Sequence, residues 1–414
     1  SCARNFRTTY ATKFDVCSIR GERIVAAGGE LAAVVGVGMT KFSATRGDVS
    51  MPGLVREAAE RALKDAEMEW EDIDAVVMGK APDFFEGVMM PEIFLGEALG
   101  AVGKPMLRVH TAGSVGGSTA LVAASLVHSG VHERVLTVAW EKQSESNAMW
   151  ALSLKQPFQV SINAGAGGYF SPIIRQYMEE TQAPELIGCM VAFKDRQHAL
   201  LNPYAHLHQP DLTFDQVVES PMLWEPIRYS ETCPSSDGAA AMVIVNETEA
   251  EKSTNPAWIH AGAMRSEANN FPGRDEVNPQ ASRECAADLW NQAGITNPRE
   301  EIDVAEIYVP FSWYEPMWLE SLGFCERGDG WKLVESGATH LNGGDLPINC
   351  SGGVLSSNPI GASGMIRFAE AALQVRGMAG EHQVDGARKA MGHAYGGGAQ
   401  YFAMWVVGKD KPTS

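Results

Sequence analysis

The stretch HTAGSVGGSTAL, His110–Leu121, lies between an apolar strand-like run and a helix of small residues. A glycine-rich loop at a helix N-terminus presents backbone N–H groups and the positive end of the helix dipole to a ligand. Such a loop can stabilise a thiolate, an oxyanion or a phosphate. It can equally be a packing loop, where glycine lets a helix approach a sheet. The stretch predicts a junction between strand and helix and leaves both roles open.

Three further glycine-rich stretches follow along the chain. They are SETCPSSDGAAAMVIV at Ser230–Val245, INCSGGVLSSNPIGASG at Ile348–Gly364 and MGHAYGGGAQYFA at Met391–Ala403. The first of these is interpreted as a structural turn leading into a strand. In the last, His393 and Tyr395 are predicted to stand on a turn before the closing strand, where histidine is a candidate for catalysis.

The remaining pattern is that of an α/β protein. Apolar runs predict strands, and residues at helical spacing predict the helices between them; the predicted elements are strands at 31–38, 73–78, 133–138, 258–263, 304–308 and 399–407, and helices at 51–67, 118–129, 280–293 and 363–376. The order repeats, which predicts two βαβαβ halves, 31–250 and 256–410, each with a mostly parallel five-stranded sheet. Residues 143–226 resemble an inserted loop domain that covers a site.

Composition excludes several classes of function. The 414 residues are 45% hydrophobic and carry a net charge of −18, which argues against nucleic acid or an anionic membrane as the partner. Seven cysteines show no zinc spacing and no disulfide framework, as in a cytoplasmic protein, so no metal is predicted. No apolar run is long enough to span a membrane. Residues 1–30 are predicted to be a poorly ordered extension.

Several common motifs are missing. The chain has no GxGxxG or GxxxxGK[ST] nucleotide loop, no GxSxG elbow and no HExxH zinc motif.

The four loops, in this order, resemble the thiolase superfamily, and in particular the branch of the sterol carrier protein x thiolases and bacterial lipid-transfer-protein thiolases. The likeness runs over about 31–408. Its strongest parts are WEKQSE at 140–145, NPYAH at 202–206, CPSSDGAAA at 233–241, AEIYVPFS at 305–312, LGFCERGDG at 322–330, INCSGG…NPIGASG at 348–364 and GHAYGGGA at 392–399. The resemblance implies a thiolase-like fold with two halves in five layers, a homodimer, and an acyl-CoA ligand lying under the loop domain.

The departures from that family concern the catalytic groups. Thiolases carry a nucleophilic cysteine in the first loop, and here the matching position is Gly113 or Ser114. Asn358 stands where thiolases place a histidine before proline, and Tyr308 stands where this branch has histidine or asparagine. His393 matches a histidine that the sterol carrier protein x thiolases keep.

The resemblance, with its missing thiol, favours one reaction and leaves two alternatives open. Cleavage of a β-hydroxyacyl-CoA by retro-aldol chemistry needs no covalent intermediate, and steroid side-chain aldolases of the lipid-transfer group are lyases of this kind. The alternatives are an acyltransferase with another nucleophile, such as Cys350 or Ser114, and a non-catalytic acyl-CoA-binding subunit. Predicted catalytic residues are Tyr308, His393, Tyr395 and Asn358; predicted contacts to coenzyme A are at Gly113, Ser114, Gly361, Ser363 and Gly397.

The resemblance also carries expectations about ligands and partners. Coenzyme A enters as part of the substrate, and no tightly bound cofactor is expected. A small partner protein with an OB-fold and a zinc ribbon is implied by the aldolase group. Val135–Ala139 is the candidate strand for the dimer edge. Aromatic residues at 150, 158, 169, 170, 224, 313, 314 and 318 are candidates to line an apolar pocket, although aromatics at such spacing are more often part of a core.

Overall fold

A computed structural model describes residues 29–81, 86–145, 165–268 and 274–412. The predicted extension at 1–30 lies almost wholly outside the described residues. So do Trp150 and Phe158, which the sequence suggested for an apolar pocket.

The described chain alternates strands and helices, with one run of helices between β4 and β7. The strands are β1 (Ala32–Met39), β2 (Ala75–Lys80), β3 (Met106–Val109), β4 (Arg134–Lys142), β5 (Met222–Trp224), β6 (Ile227–Arg228), β7 (Asp237–Asn246), β8 (Ala257–Ser266), β9 (Val304–Glu306), β10 (Lys389–Gly396) and β11 (Tyr401–Gly408). The helices are α1 (Met51–Asp65), α2 (Val115–His128), α3 (Gly165–Thr181), α4 (Ile187–Ala199), α5 (Phe214–Val218), α6 (Glu247–Ala250), α7 (Gln280–Ala293), α8 (Pro298–Glu301), α9 (Tyr314–Ser321), α10 (Gly330–Glu335), α11 (Gly353–Ser356) and α12 (Ile360–Arg376).

The strands form a mixed sheet in the order β3-β2-β4-β7-β1-β8-β11-β10-β9. Strand β2 is parallel to β3 and β4, and β9 is parallel to β10, whereas β7 and β11 run antiparallel to both of their neighbours. The prediction of mostly parallel sheets is therefore wrong. One reason is the short connection Gly397–Gln400 between β10 and β11, because a parallel pair needs a crossover of a dozen or more residues.

The two halves repeat the same arrangement of strands. In the second half the place of a fifth strand is taken by a single parallel bridge between Ala305 and Ile348. Strands β1 and β8 join the halves through two residue pairs, Ala33 with Trp258 and Val34 with Ala257. The expected pair of separate sheets is thus one continuous sheet with a narrow junction.

Helices cover the strands in five layers, as expected for the thiolase-like fold. Helix α1 packs on β1 and β7, and α7 packs on β8 and β11. Helices α2 and α12 lie between the halves, where α2 contacts β4 and α12 contacts β10. Their small residues permit this close packing, because a Cβ on Gly117 would lie 2.8 Å from the Ala394 Cβ atom. Helix α2 also packs closely on α12, where a Cβ on Gly116 would clash with the Met365 backbone nitrogen.

The inserted segment between β4 and β7 is mainly helical in its described part. It contains α3, α4, α5 and the short β5–β6 hairpin. No helix in the described ranges is long and apolar enough to cross a membrane.

The outer edge of the first half is β3, not the strand that the sequence suggested. Strand β4, which includes Val135–Ala139, lies between β2 and β7 and is buried, so it cannot pair with another subunit. Leu107 on β3 is 45% exposed, and in the chain segment that leads to β3 the apolar residues Met89, Ile93 and Val102 are 68%, 66% and 72% exposed.

Candidate active site

The predicted catalytic residues converge at the ends of β9 and β10 and at the start of α12. Tyr308 follows β9, and its carbonyl oxygen accepts a 2.9 Å hydrogen bond from the Trp318 indole nitrogen. The Tyr308 backbone N–H donates to Nδ1 of His393, at 3.2 Å. These two bonds fix the backbone that directs the Tyr308 ring toward Asn358.

The Asn358 side chain is the centre of this polar cluster. Its Oδ1 accepts a 2.8 Å hydrogen bond from the Ser363 hydroxyl and a long, 3.4 Å contact from the Tyr308 hydroxyl. Its Nδ2 donates to Sγ of Cys233 at 3.2 Å. Gln143 holds the Asn358 carbonyl oxygen from the other side, at 2.7 Å. The amide is therefore oriented, and among the described residues its second hydrogen has no partner.

Burial keeps the phenols of the site protonated. Tyr308 is 3% exposed and Tyr395 is 5% exposed, and burial raises the pKa of both hydroxyls above their usual value. The Tyr395 ring meets the Tyr308 ring edge-on, with centroids 5.2 Å apart. A neutral phenol is a hydrogen-bond donor and acceptor, whereas a tyrosinate base would need a nearby cation.

Tyr395 stands in a box of aromatic rings. Its neighbours are Phe170, Tyr314, Trp318 and Phe402, with ring centroids 5.3–6.5 Å away. Phe170, Tyr314 and Trp318, three of the aromatic residues suggested for a pocket, belong to the buried core, and their contact with a ligand stays a prediction. No residue in the described part of the chain hydrogen-bonds the Tyr395 hydroxyl.

His393 lies two residues before Tyr395 in β10, so the two side chains share one face of the strand. Strand β10 includes both His393 and Tyr395, so the prediction that they stand on a turn is wrong. The imidazole packs against the rings of Trp318 and Phe402, at 5.7 and 6.0 Å. Burial lowers its pKa to about 3, and because Nδ1 accepts the Tyr308 N–H, the ring proton belongs on Nε2. The geometry links His393 to the site through the Tyr308 backbone.

The first glycine loop supplies no activated nucleophile. Ser114 is fully buried, and its hydroxyl donates to the Thr111 carbonyl oxygen at 2.8 Å. A Cβ on Gly113 would lie 3.1 Å from the Tyr395 carbonyl oxygen, so the first loop packs directly on the end of β10. The loop thus meets the site, with its serine hydroxyl engaged in its own turn.

The other predicted contacts to coenzyme A differ in position. Ser363 belongs to the polar cluster. Gly361 packs against the end of β4, where a Cβ would lie 2.7 Å from Oε2 of Glu141. Gly397 has a φ of 65° in the turn after β10, and a Cβ on it would lie 2.9 Å from the Tyr401 ring. Their contact with a ligand stays a prediction.

Cys350 and Cys233 differ in their surroundings. Cys350 is fully buried, and burial raises its pKa well above the usual value, which agrees with a structural role. Cys233 is a site residue that the sequence analysis missed. An antiparallel bridge between Thr232 and Phe311 brings it beside the Tyr308 segment. The CPSSDG motif marks this stretch of sequence, but Thr232 pairs with Phe311, which is 79 positions further along the chain.

A group of buried charges lies at the C-terminal ends of β2, β4 and β9. The Lys80 ammonium pairs with Glu141 and, at 2.7 Å, with Glu86. Burial raises the pKa of Glu141 to about 8. The Arg367 guanidinium pairs with Glu306 at the end of β9. The Lys80–Glu141 pair joins β2 to β4, and the Arg367–Glu306 pair joins α12 to β9.

Comparison with known proteins places this geometry in a family. A model of the thiolase C-terminal domain-like family matches residues 263–409. Human sterol carrier protein 2 is 30% identical over 404 residues, covering 92% of this chain and 73% of that protein. The chain belongs to the thiolase superfamily, in its sterol carrier and lipid-transfer branch. Members of this superfamily are acyl-CoA enzymes.

Other thiolase-superfamily relatives point to more than one reaction. Acetyl-CoA acetyltransferase of Methanothermobacter thermautotrophicus is 31% identical, over 88% of this chain and 96% of the relative. The solved structure of an Ltp2-ChsH2(DUF35) aldolase matches with a TM-score of 0.79 and 28% identity, covering 93% of this chain and 99% of that chain.

Proposed function

We propose that this thiolase-like chain is a lyase that cleaves a β-hydroxyacyl-CoA by a retro-aldol reaction. The observation that carries the proposal is the chemistry of the site. Its first loop offers a serine whose hydroxyl is already engaged, and its polar centre consists of two neutral phenols and an amide. Acyl transfer through a covalent intermediate needs an activated nucleophile, which these groups do not provide.

The cleavage can be written without a covalent intermediate. The O–H electrons of the β-hydroxyl form the new carbonyl, the Cα–Cβ bond breaks, and its electrons become a thioester enolate. One proton then moves from the β-oxygen to the α-carbon. Tyr308 and Tyr395 could pass this proton through their hydroxyls, each accepting one proton and donating another. The free amide hydrogen of Asn358 would stabilise the enolate oxygen.

The similarity to the aldolase structure supports this proposal, while the acetyltransferase relative keeps acyl transfer as the competing outcome. The purified protein is incubated with 3-hydroxyacyl-CoA and, separately, with 3-oxoacyl-CoA plus coenzyme A, and the products are identified by mass spectrometry. Straight-chain and steroid-like acyl groups are compared. Cleavage of the hydroxyacyl substrate alone supports a lyase. Cleavage of the oxoacyl substrate supports an acyltransferase, and binding without turnover supports a non-catalytic subunit.

Assembly is part of the same proposal. We infer a homodimer whose subunits meet at the β3 edge, because this edge is unpaired within the chain and its surroundings are apolar. A small partner protein is also proposed, since the name of the similar aldolase structure includes a second protein, ChsH2(DUF35). The turnover assay is therefore run with and without such a partner.

A further inference from the structure

Cys233 differs from the other described cysteines in what it touches. Cys189, Cys285 and Cys350 are buried, whereas Cys233 and Cys325 are half-buried. The Cys233 sulfur accepts the Asn358 amide N–H at 3.2 Å. Its own backbone N–H donates to the Pro310 carbonyl oxygen at 3.0 Å, two residues after Tyr308. The thiol is thereby held at the polar cluster from both sides.

The residues of the cluster differ in their exposed fraction. Tyr308, Asn358 and Ser363 are all buried, at 3%, 6% and 0% exposure. Cys233 as a whole residue is half-buried, so it is the most exposed member of the cluster.

A second observation points to a ligand at this place. The Tyr395 hydroxyl, on a side chain that is 95% buried, has no hydrogen-bond partner among the described residues. The groups that act electrostatically on this hydroxyl include both Tyr308 and Cys233. The hydroxyl of a largely buried side chain usually finds a hydrogen-bond partner, and here a bound molecule beside the thiol would supply it.

We propose that Cys233 is a substrate-contacting residue, whose thiol lies against the thioester end of a bound acyl-CoA and whose sulfur orients the Asn358 amide toward the thioester oxygen. This assignment deepens the proposed function and rests on it. Sulfur is large and polarisable, so it can pack against the thioester sulfur and still accept the Asn358 N–H.

Cys233 acts in this position as a neutral thiol. Burial raises its pKa to about 12, so it is not the thiolate that covalent acyl transfer requires. The role is therefore contact and orientation, with no acyl group carried by the sulfur.

The test is chemical labelling with methyl methanethiosulfonate. The cysteine thiolate attacks the reagent's sulfenyl sulfur, a disulfide to the methylthio group forms, methanesulfinate leaves, and the thiol proton passes to buffer. Cys325 is the internal control, because it is also half-buried, its pKa is also raised to about 12, and it lies beyond the end of α9. Both labelling rates are measured by peptide mass spectrometry, with and without acetyl-CoA, which has no β-hydroxyl to cleave.

Acetyl-CoA at ten times its dissociation constant, measured by calorimetry, should slow labelling of Cys233 about tenfold by occupancy and leave Cys325 unchanged. Binding without protection, or equal protection of both cysteines, would overturn the assignment and leave the proposed lyase standing. Failure of acetyl-CoA to bind at all would refute the proposed function and this assignment together.

Two variants separate contact from packing. Cys233→Ser keeps an acceptor for the Asn358 amide and should bind acetyl-CoA nearly as well as the wild type. Cys233→Val has no acceptor and should bind about fivefold to tenfold more weakly, as expected for the loss of one hydrogen bond. Cys325→Val is the matched control. Equal binding by the serine and valine variants, with melting temperatures unchanged, would show that the sulfur does not orient Asn358 for the ligand.

Discussion

Replacement of Tyr308 by phenylalanine removes one oxygen atom from the centre of the site. The hydroxyl makes a 3.4 Å contact with Asn358 and also interacts with Ser363, whose 2.8 Å bond to Asn358 remains in the variant. The ring still packs edge-on against Tyr395 and stays buried. A long hydrogen bond of this kind contributes about 0.5–1 kcal/mol, so the fold should be nearly as stable as that of the wild type.

Activity should fall far more than stability. If the Tyr308 hydroxyl transfers a proton during cleavage, its loss should lower kcat about 10²–10⁴-fold, with binding of acetyl-CoA little changed. The assay follows product formation from the preferred 3-hydroxyacyl-CoA by liquid chromatography and mass spectrometry, and a melting curve checks the fold.

Tyr314→Phe is the matched control for this experiment. The Tyr314 ring stacks on Tyr395 at 5.9 Å, it is fully buried, and its hydroxyl has no hydrogen-bond partner in the described structure. Loss of this hydroxyl should therefore leave turnover within about threefold of wild type, because no bond is broken. Wild-type turnover by Tyr308→Phe, or an equal loss in both variants, would remove Tyr308 from the mechanism.

Three further predictions concern other parts of the molecule. The lowered pKa of His393 means that the folded state holds the imidazole neutral. Its contribution to stability is therefore present above about pH 6.5 and is lost as the pH falls toward 3. Acid unfolding should move to lower pH in His393→Gln, and a wild-type acid midpoint in that variant would contradict this. Ser114→Ala should keep most of the lyase activity, since the hydroxyl serves the local turn; a loss of about 10³-fold would instead identify it as a nucleophile. Leu107→Arg, on the exposed edge strand, should shift the protein from dimer to monomer in ultracentrifugation, and an unchanged dimer would exclude this edge.

Local sequence patterns predicted the helices well. The pattern at 280–293 gave the bounds of α7, and α12 begins three residues before its predicted start at Ser363. Both are amphipathic or small-residue helices whose signal is contained within the segment. In β10 the glycines misled the prediction, because Gly392 and Gly396 serve close packing within a strand instead of a turn.

The site was harder to predict than the fold. Asn358 and Tyr308 were found because they replace residues of a family motif. Cys233 was missed because its place in the site depends on a bridge between segments far apart in sequence, and no local pattern contains that pairing. The placement of His393 and Tyr395 on one face of β10 depends on strand parity, which a predicted turn could not supply.

The narrow junction between β1 and β8 has a consequence for how the enzyme can fail. Two residue pairs join the strands of the halves; the other contacts come from α2 and α12, which pack on each other and on strands of both halves, and from the Thr232–Phe311 bridge. The polar cluster takes Cys233 from one half and Tyr308, Asn358 and Tyr395 from the other. A small slip of one half against the other would separate these groups by a similar distance while both hydrophobic interiors stayed intact. Turnover should therefore fall when the halves are misaligned, even where the melting temperature is unchanged.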